Sequence, residues 1–558
     1  MSNITLPVGK DDFTKLREGN YYYIDKTMLI KHIVDIGAEV TLITRPRRFG
    51  KSLNMSMLDC FFDITRKNTD HLFEGLNIWN ETDILDNWKN QYPTVFISLK
   101  DVDGLTYDEA FEALSTVLSK LFLRHSYLLD SDKIDDVSKN QFREIRGESS
   151  SANRIKDSLY LLTEMLSTHH GRKVVVLIDE YDVPMSKGNT YGYYPKITAV
   201  IRSMLSRVLK GNDNLQFAVM TGCLRIAKES IFTGLNNPAV DSISDERSDG
   251  FDEYFGFTDA EVDKLLADTE LTEKKQIIKE WYDGYRYGDV DVYCPWDVVC
   301  YVSRLLHNPN AQPKTFWSNT TGSDVIRPFL SKNRRKISGS LNTLIGGGTV
   351  TANINEKLTY EDLNDNEINH FWSLLYLTGY LTPESVDTKT NEFNLKIPNK
   401  ELQIIFRESV SNWYKHEIIP PTLDEIIRQM WSYDAPGLTK TFTNLLQKSI
   451  SGYDYSENFY HAFILGIMTL TPYEVKSNRE TGEGRTDIYI ADDDKVILIE
   501  FKIAKDSKKM EKRADDALLQ IKNKRYAEEF ISDGFTEIIK MGVGFFKKQC
   551  VVKIEKVI

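Results

Sequence analysis

The sequence predicts an α/β protein with a parallel, helix-covered sheet in its N-terminal part, a mainly helical middle region and a smaller α/β domain at its C-terminal end. Three observations lead to this prediction. The apolar run Val40–Ile43 passes through a polar loop into Gly50-Lys51-Ser52 and a segment of helical periodicity, Leu53–Phe62. The run Lys173–Glu180 is typical of a strand buried on both faces and ends in two carboxylates. Two strand patterns between residues 486 and 502 also carry acids.

The first stretch has the order strand, loop, Gly-Lys-Ser, helix, which is the architecture of a phosphate-binding P-loop. The N–H groups and the dipole at the start of such a helix favour a bound polyphosphate. We therefore expect ATP, with Lys51 at its β- and γ-phosphates and the Ser52 hydroxyl on Mg²⁺. The expected cofactor-binding residues of the loop are Arg48, Phe49, Gly50, Lys51 and Ser52. Considered alone, the stretch could also be an ordinary basic turn.

One residue departs from the P-loop pattern. The first glycine of G-x-x-x-x-G-K-[ST] would fall at position 45, which is an arginine. Glycine adopts a positive φ at little cost and other residues do not. We therefore expect the chain to enter this loop by a different backbone path, stiffened by Pro46.

The strand that ends at Asp179 and Glu180 supplies candidate acids for the same site. The carboxyl ends of parallel strands are where open α/β sheets bind ligands. We expect Asp179 to hold Mg²⁺ and Glu180 to position or deprotonate the attacking water, as the acids of P-loop ATPases do. The alternative is a capping pair at the start of the next helix.

A third strand pattern, Leu215–Met220, leads to Thr221, and Arg225 follows shortly after it. At the tip of this strand Thr221 could sense the γ-phosphate, and Arg225 could stabilise charge in the transition state. A helix cap and a surface base are the alternative roles. The aromatic residues Phe13 and Tyr21–Tyr23 could offer a stacking surface for adenine, although core packing is the favoured role for such rings.

Length and composition limit the possible classes of protein. A chain of 558 residues is too long for one core and indicates three or four domains. Its net charge of −12 argues against a protein that coats nucleic acid non-specifically. The five cysteines form no C-x-x-C pair, so we expect reduced thiols rather than disulfides or a zinc site. Neither a signal peptide nor a membrane-spanning run is evident, so we expect a cytoplasmic protein without membrane contact.

The expected boundaries place a P-loop domain at residues 1–290, a mainly helical middle region at 291–422 and the last domain at 423–558, with Pro420-Pro421 as a linker. In the middle region an apolar helix is followed by a predicted hairpin, which resembles a winged helix. A lid is the favoured role because no basic recognition helix accompanies it. The polar stretch 130–151 is expected to be an exposed insertion or loop.

The last domain carries a second group of candidate residues. Asp487 lies on one predicted strand, and Glu500 and Lys502 lie on one face of the next, so the three side chains can meet. Two carboxylates would bind Mg²⁺, which prefers oxygen ligands. Lys502 would hold the attacking water or the developing negative charge. A surface Glu–Lys ion pair is the alternative.

These motifs resemble those of the bacterial AAA-ATPase-like family. The segments that carry the resemblance are 22–27, 45–52, 177–182, 221–237, 254–258 and 281–285. Members of that family often carry a C-terminal PD-(D/E)XK nuclease-like domain, with a restriction-endonuclease-like α/β fold, and Asp487, Glu500 and Lys502 occupy the positions of its motif. The resemblance further implies that Glu457 precedes the motif and that Gln520 on the following helix is a catalytic partner, near Lys524 and Tyr526.

The activity that the resemblance implies is ATP hydrolysis coupled to a Mg²⁺-dependent nuclease that acts on nucleic-acid phosphodiesters. A locally basic stretch between residues 505 and 525 could follow a phosphate backbone. The same stretch could also be a solvated helix face, because acids are interleaved with its bases. An ATP-dependent switch with an inactive nuclease fold is the alternative function, and the sequence leaves the oligomeric state and the choice of DNA or RNA open.

Overall fold

The computed structural model contains two compact units, Met1–Ser409 and Val410–Ile558. It describes residues 4–557 apart from 148–150, 225–238, 245–249, 318–336, 338, 342, 361, 365–366, 388, 408–419, 450–456, 470–472, 482–483 and 493. At some further positions inside helices and strands, Glu457 among them, only the backbone is described. The three predicted domain ranges remain a prediction beside this division into two units.

A parallel sheet organises the first unit. Its strands are β1 (Val40–Thr44), β2 (Thr94–Ser98), β3 (Val174–Asp179), β4 (Leu215–Gly222) and β5 (Ala239–Asp241). They lie in the order β2-β3-β4-β1-β5, and each pairs in parallel with its neighbours. β1 and β3 are buried along their whole length, as expected for a sheet covered on both faces. The predicted parallel sheet is therefore confirmed.

Helices cover this sheet. They are α1 (Phe13–Glu18), α2 (Met28–Ile36), α3 (Lys51–Phe62), α4 (Asp70–Phe73), α5 (Thr82–Trp88), α6 (Tyr107–Arg124), α7 (Asp136–Arg146), α8 (Ala152–His170), α9 (Val183–Tyr191) and α10 (Tyr194–Leu209). Of the two alternatives for residues 130–151, the loop is wrong, because α7 lies within this stretch. The Asp135 side chain caps that helix, and Phe142 and Ile145 bury one of its faces.

The remainder of the first unit adds two small sheets and further helices. These are α11 (Asp259–Asp268), α12 (Lys275–Tyr282), α13 (Pro295–His307), α14 (Ile368–Leu377), β6 (Phe257–Thr258), β7 (Tyr285–Tyr287), β8 (Val290–Tyr293), β9 (Val350–Asn353), β10 (Thr382–Asp387) and β11 (Glu392–Lys396). Residues 400–407 are also helical. The predicted hairpin is β10–β11, and β9 extends it to three strands in the order β10-β11-β9.

The second unit has one mixed sheet with helices on both faces. Its elements are α15 (Pro420–Trp431), α16 (Ala435–Ser449), α17 (Glu457–Met468), β12 (Glu474–Thr481), β13 (Gly484–Asp492), β14 (Lys495–Ile503), α18 (Met510–Asn523), α19 (Tyr526–Ser532), β15 (Glu537–Phe546) and β16 (Gln549–Lys556). The strand order is β12-β13-β14-β15-β16, and only β14 and β15 run parallel. The expected linker Pro420-Pro421 instead opens α15, because proline is well tolerated in a first helical turn.

Alternation along β14 decides which helices face each side of this sheet. Ile497, Ile499 and Phe501 join the core that includes residues of α15, α16 and α17. Val496 and Leu498 point the other way, into the core with α18 and α19. Glu500 therefore lies on the side of α18. Within the parts of the chain described above, no helix is long and apolar enough to cross a membrane.

Arg45, the residue in the place of the first P-loop glycine, lies in a buried ion network. Its side chain is fully buried, and its Nη2 donates to Asp241 Oδ2 at 2.6 Å and to Asp252 Oδ1 at 3.2 Å. Its guanidinium carbon lies 5.1 Å from the centre of the Tyr287 ring. Positive φ angles occur later in the loop, at Arg48 (73°) and Gly50 (85°), and not at Arg45. The arginine therefore anchors the end of β1, and the loop turns after it.

Restoring the consensus glycine at this position should destabilise the protein. Arg45→Gly removes the buried guanidinium that Asp241 and Asp252 share, and breaking a buried ion pair costs roughly 3–5 kcal/mol. Denaturant unfolding monitored by circular dichroism measures the loss. As a control, Arg45→Met combined with Asp241→Asn should cost less than the sum of the two single variants. Parental stability in Arg45→Gly would contradict the network's role.

Candidate functional sites

The P-loop delivers Lys51 and Ser52 to the carboxyl end of the sheet. Gly50 has the left-handed conformation that starts α3, with Lys51 as its first residue. Lys51 Nζ donates to the carbonyl oxygens of Arg45 (3.1 Å) and Pro46 (3.0 Å), and it lies 3.5 Å from Glu180 Oε1. Burial disfavours the charged form of Lys51, but Cys223 and the nearby acids outweigh it and raise the pKa. The lysine is therefore a fixed cation at the mouth of the loop.

Asp179 lies at the centre of a hydroxyl network. Ser52 Oγ donates to its Oδ2 at 2.7 Å and Thr221 Oγ1 donates to its Oδ1 at 2.6 Å. Ser98 Oγ is 3.4 Å from Oδ2. Burial and the neighbouring Glu180 raise the pKa of Asp179, whereas these hydrogen bonds and Lys51 oppose the rise. Three expected site residues, Ser52, Asp179 and Thr221, are thus brought together on adjacent strands and the P-loop helix.

Glu180 follows β3 in a left-handed conformation, with φ 52°. Such a conformation is uncommon for a residue other than glycine. The neighbouring Asp182 is buried and accepts hydrogen bonds from the backbone N–H groups of Cys223 and Leu224. Burial, followed by the charge of Glu180, raises the pKa of Asp182 to about 6. Asp182 therefore holds the end of β4 in place beside the acids, a role that the sequence did not reveal.

The other expected residues of the loop behave differently from one another. Phe49 is fully buried. The centre of its ring lies 4.9 Å from that of Tyr285 and 5.3 Å from that of Tyr287, so its side chain packs in the core. Arg48 donates to the Phe316 carbonyl oxygen, and its guanidinium lies 5.3 Å from the centre of the Trp296 ring. Arg225 lies outside the described residues, so its expected role remains a prediction.

A cavity of 360 Å³ lies against the P-loop. Its polar end includes Gly50, Lys51, Ser52 and Glu180. Its other walls are mostly apolar and come from the N-terminal segment and from residues 254–299. Tyr22 and Tyr23 are among these walls, whereas Phe13 is fully buried in the sheet core. A pocket with one polar end and apolar walls is of the kind that binds small organic ligands.

In the second unit the expected residues converge at the junction of β13 and β14. Ile488 pairs with Ile499, which places Asp487 beside Glu500. Asp487 Oδ2 accepts from the N–H of Phe501 at 2.8 Å, and Lys502 Nζ lies 3.4 Å from Glu500 Oε1. From α18, Gln520 Nε2 donates to the same Oε1. Four of the expected catalytic residues are therefore neighbours.

Glu500 has the properties of a carboxylate that holds a cation. It is buried, and its Oε2 has no hydrogen-bond partner among the described residues. Burial, followed by the nearby Asp487, raises the pKa of Glu500 to about 8. A divalent cation between the two acids would satisfy the orphaned oxygen. Within the described parts no group of three or more His, Cys, Asp or Glu side chains is placed to hold a metal. A pair of carboxylates still fits Mg²⁺, which keeps several of its waters.

Two family models match this chain, one within each of its two compact units. Residues 7–232 match the model of a family described as Predicted AAA-ATPase, and residues 455–555 match that of the PD-(D/E)XK nuclease superfamily. The chain carries an AAA-ATPase-like domain and a PD-(D/E)XK nuclease-superfamily domain. A protein of Azotobacter chroococcum mcd 1, described as an uncharacterized protein in the vnfD 5′ region, is 28% identical over 569 residues, covering 98% of this chain and 97% of its own length. That similarity also spans the residues between the two matched segments.

Two glycines place the helix of the nuclease-superfamily domain against its sheet. Gly542 and Gly544 pair with Glu500 and Lys502 across β14 and β15. A Cβ atom added to Gly542 would lie 2.3 Å from the carbonyl oxygen of Ala514 in α18, and one added to Gly544 would lie 2.2 Å from that of Met510. Only glycine therefore lets α18 approach closely enough for Gln520 to reach Glu500. The alternation Gly542-Val543-Gly544 within a strand is the sequence signal that could have revealed this approach.

The other implied residues of the nuclease-superfamily domain are placed as follows. Tyr526 is buried, and Lys524 is exposed beyond the end of α18. Glu457 begins α17, but its side chain is not described. Several bases of the 505–525 stretch are exposed, and some have acidic neighbours, such as Arg513 with Asp516 and Arg525 with Glu528. Its role in binding a phosphate backbone remains a prediction.

Removing the Glu500 charge should stabilise the metal-free domain at alkaline pH. Because the folded state raises the pKa of Glu500 to about 8, it binds the proton more tightly than the unfolded chain does. Stability should therefore fall between about pH 5 and pH 8 in the parent protein and not in Glu500→Gln. In EDTA, we expect the melting temperature of Glu500→Gln to rise relative to that of the parent by roughly 5 °C over that pH range.

Differential scanning calorimetry of the full chain measures this difference. Mg²⁺ or Mn²⁺ should raise the melting temperature of the parent at pH 8 and leave Glu500→Gln unaffected. Glu511→Gln, which changes an exposed acid of α18, serves as the matched control. If the difference in melting temperature between the parent and Glu500→Gln does not change with pH, the pKa of Glu500 is not raised by folding.

Proposed function

We propose that the chain is an ATPase whose nucleotide state controls a Mg²⁺-dependent nuclease acting on nucleic-acid phosphodiesters. The observation that carries the ATPase half is the hydrogen bond from Ser52 Oγ to Asp179 Oδ2 at 2.7 Å, directly beside the buried Lys51. A P-loop hydroxyl and a strand-end carboxylate in contact are the two protein groups that hold Mg²⁺ in P-loop NTPases. The match of residues 7–232 to the AAA-ATPase-like family supports the same assignment.

Each residue of the ATP site has a distinct part in this proposal. The N–H groups at the start of α3 and Lys51 would bind the phosphates, in competition with the Arg45 and Pro46 carbonyl oxygens. Ser52 and Asp179 would hold Mg²⁺. Glu180 would orient the attacking water and take its proton. In both domains the bound cation would neutralise phosphate charge and, in the nuclease-superfamily domain, would also favour deprotonation of a water.

The nuclease half rests on the orphaned Glu500 Oε2 and the neighbouring Asp487. These two carboxylates would hold Mg²⁺. Lys502 would orient the attacking water or balance charge on the phosphodiester, and Gln520 would fix the orientation of Glu500 through Oε1. The match of residues 455–555 to the PD-(D/E)XK nuclease superfamily supports this assignment.

One observation favours a second candidate, an ATP-dependent switch with an inactive nuclease fold. Lys51 Nζ contacts two loop carbonyl oxygens and Glu180, so phosphate oxygens would have to displace existing partners. Such competition would slow turnover while still allowing binding. Measured turnover separates the two candidates.

Glu180→Gln should separate nucleotide binding from hydrolysis. The amide keeps the shape of the side chain but cannot take a proton from water. We expect the affinity for ATP to change by no more than about threefold, because Lys51 remains, whereas phosphate release should fall at least about 100-fold. Calorimetric titration and a phosphate-release assay measure the two quantities. Glu164→Gln changes an exposed acid on α8 and should match the parent. Parental turnover in Glu180→Gln would refute the role of Glu180.

The nuclease proposal is tested by cleavage of a DNA and RNA panel, single- and double-stranded, in Mg²⁺ or Mn²⁺ with and without ATP. Asp487→Asn should lower cleavage at least about 100-fold because it removes a charge from the cation site. Asp492→Asn, an exposed acid on the same strand, should cleave like the parent. Lys51→Ala should cleave at a rate that ATP no longer changes. If the parent binds ATP but cleaves no member of the panel, the switch is the correct assignment.

A further inference from the structure

The apolar walls of the cavity beside the P-loop form one continuous surface. Six of the lining residues belong to a single hydrophobic cluster that packs the N-terminal segment against α11 and α13. These six residues are Leu6, Tyr22, Ile24, Phe257, Leu265 and Val299. Three of the six, Tyr22, Ile24 and Phe257, are only partly buried and so leave part of this surface open to the cavity. The cavity thus has a polar end at the P-loop and an apolar side that comes from other segments.

Trp296 lies between the polar end of the cavity and its apolar side. It lines the cavity from the first turn of α13, and Val299, three residues later, lies on the same face of that helix. Its ring stacks with the guanidinium of Arg48, which belongs to the P-loop. Trp296 is half-buried, so part of its ring is open to the cavity.

We infer that this apolar side is the nucleobase end of the nucleotide site and that Trp296 is its principal contact for the base. A nucleoside triphosphate has a polyanionic end and a flat aromatic end, and the cavity offers a matching surface to each. An indole ring offers a flat aromatic surface on which a base can stack. The inference rests on the proposed ATP-binding function and extends it to residues outside the segment that matches the AAA-ATPase-like family.

The contributions of the base and of the phosphates to the affinity for ATP can be measured separately. Inorganic tripolyphosphate carries the same anionic end as ATP but no base. Removing the indole in Trp296→Ala should weaken a non-hydrolysable ATP analogue about tenfold or more, as expected for one lost base–aromatic stack. The same variant should bind tripolyphosphate within about twofold of the parent, because the P-loop contacts remain. Trp296→Phe keeps an aromatic ring and should bind the analogue more tightly than Trp296→Ala.

Calorimetric titration of the full chain in Mg²⁺ measures all of these affinities. Trp88→Ala is the matched control, because Trp88 is also half-buried, stacks on Tyr92 at 5.0 Å and lies away from the cavity walls. Retained tripolyphosphate binding in Trp296→Ala shows that the P-loop is still folded. An unchanged affinity for the analogue, or an equal loss for both ligands, would overturn the role of Trp296. If the parent binds neither ligand, the proposed ATP-binding function itself fails.

Discussion

The buried guanidinium of Arg45 is the contact on which the geometry of the P-loop depends. It binds Asp241 at the end of β5 and Asp252 beyond it, and so ties the P-loop to segments far along the chain. A glycine at this position would provide backbone freedom but no anchor. Because Lys51 donates to the Arg45 carbonyl oxygen, the same residue also fixes the position of the P-loop lysine. The departure from the P-loop pattern therefore has a structural cause and need not mark a site that has lost its function.

Both units bury acids that an ordinary core would exclude. In the first unit Asp179 is compensated by three hydroxyl groups and by Lys51. In the second unit Glu500 has Lys502 and Gln520 on one oxygen and no partner for the other in the described residues. Burying a carboxylate without a full set of partners costs stability, and this cost is typical of a site that binds a cation. Asp179 is thus better compensated than Glu500, so metal binding should stabilise the nuclease-superfamily domain more strongly.

Local patterns were enough to predict the elements that position the two sites. The apolar strand before Gly50-Lys51-Ser52 and the strand that ends at Asp179 were predictable because both are short, continuous and strongly apolar. Alternation along β14 likewise placed Glu500 and Lys502 on one face. The partners of Arg45 were not predictable, because they lie 196 and 207 residues away in sequence. For the same reason the packing of the Phe49 ring on two distant tyrosines was not predictable, although Phe49 also lines the cavity at the P-loop.

The walls of the cavity beside the P-loop extend beyond the segment that matches the AAA-ATPase-like family. The segment that matches the AAA-ATPase-like family stops at residue 232, yet cavity walls come from Phe257, Leu265 and Trp296. The stacking of Arg48 on Trp296 links the P-loop directly to α13, so a fragment cut before α13 would lose one wall and one P-loop contact together. Arg48 also donates to the Phe316 carbonyl oxygen, which extends this connection further into the middle region. A ligand that moved Arg48 would thus act on α13 and the segment after it through contacts that already exist, without requiring a separate lid.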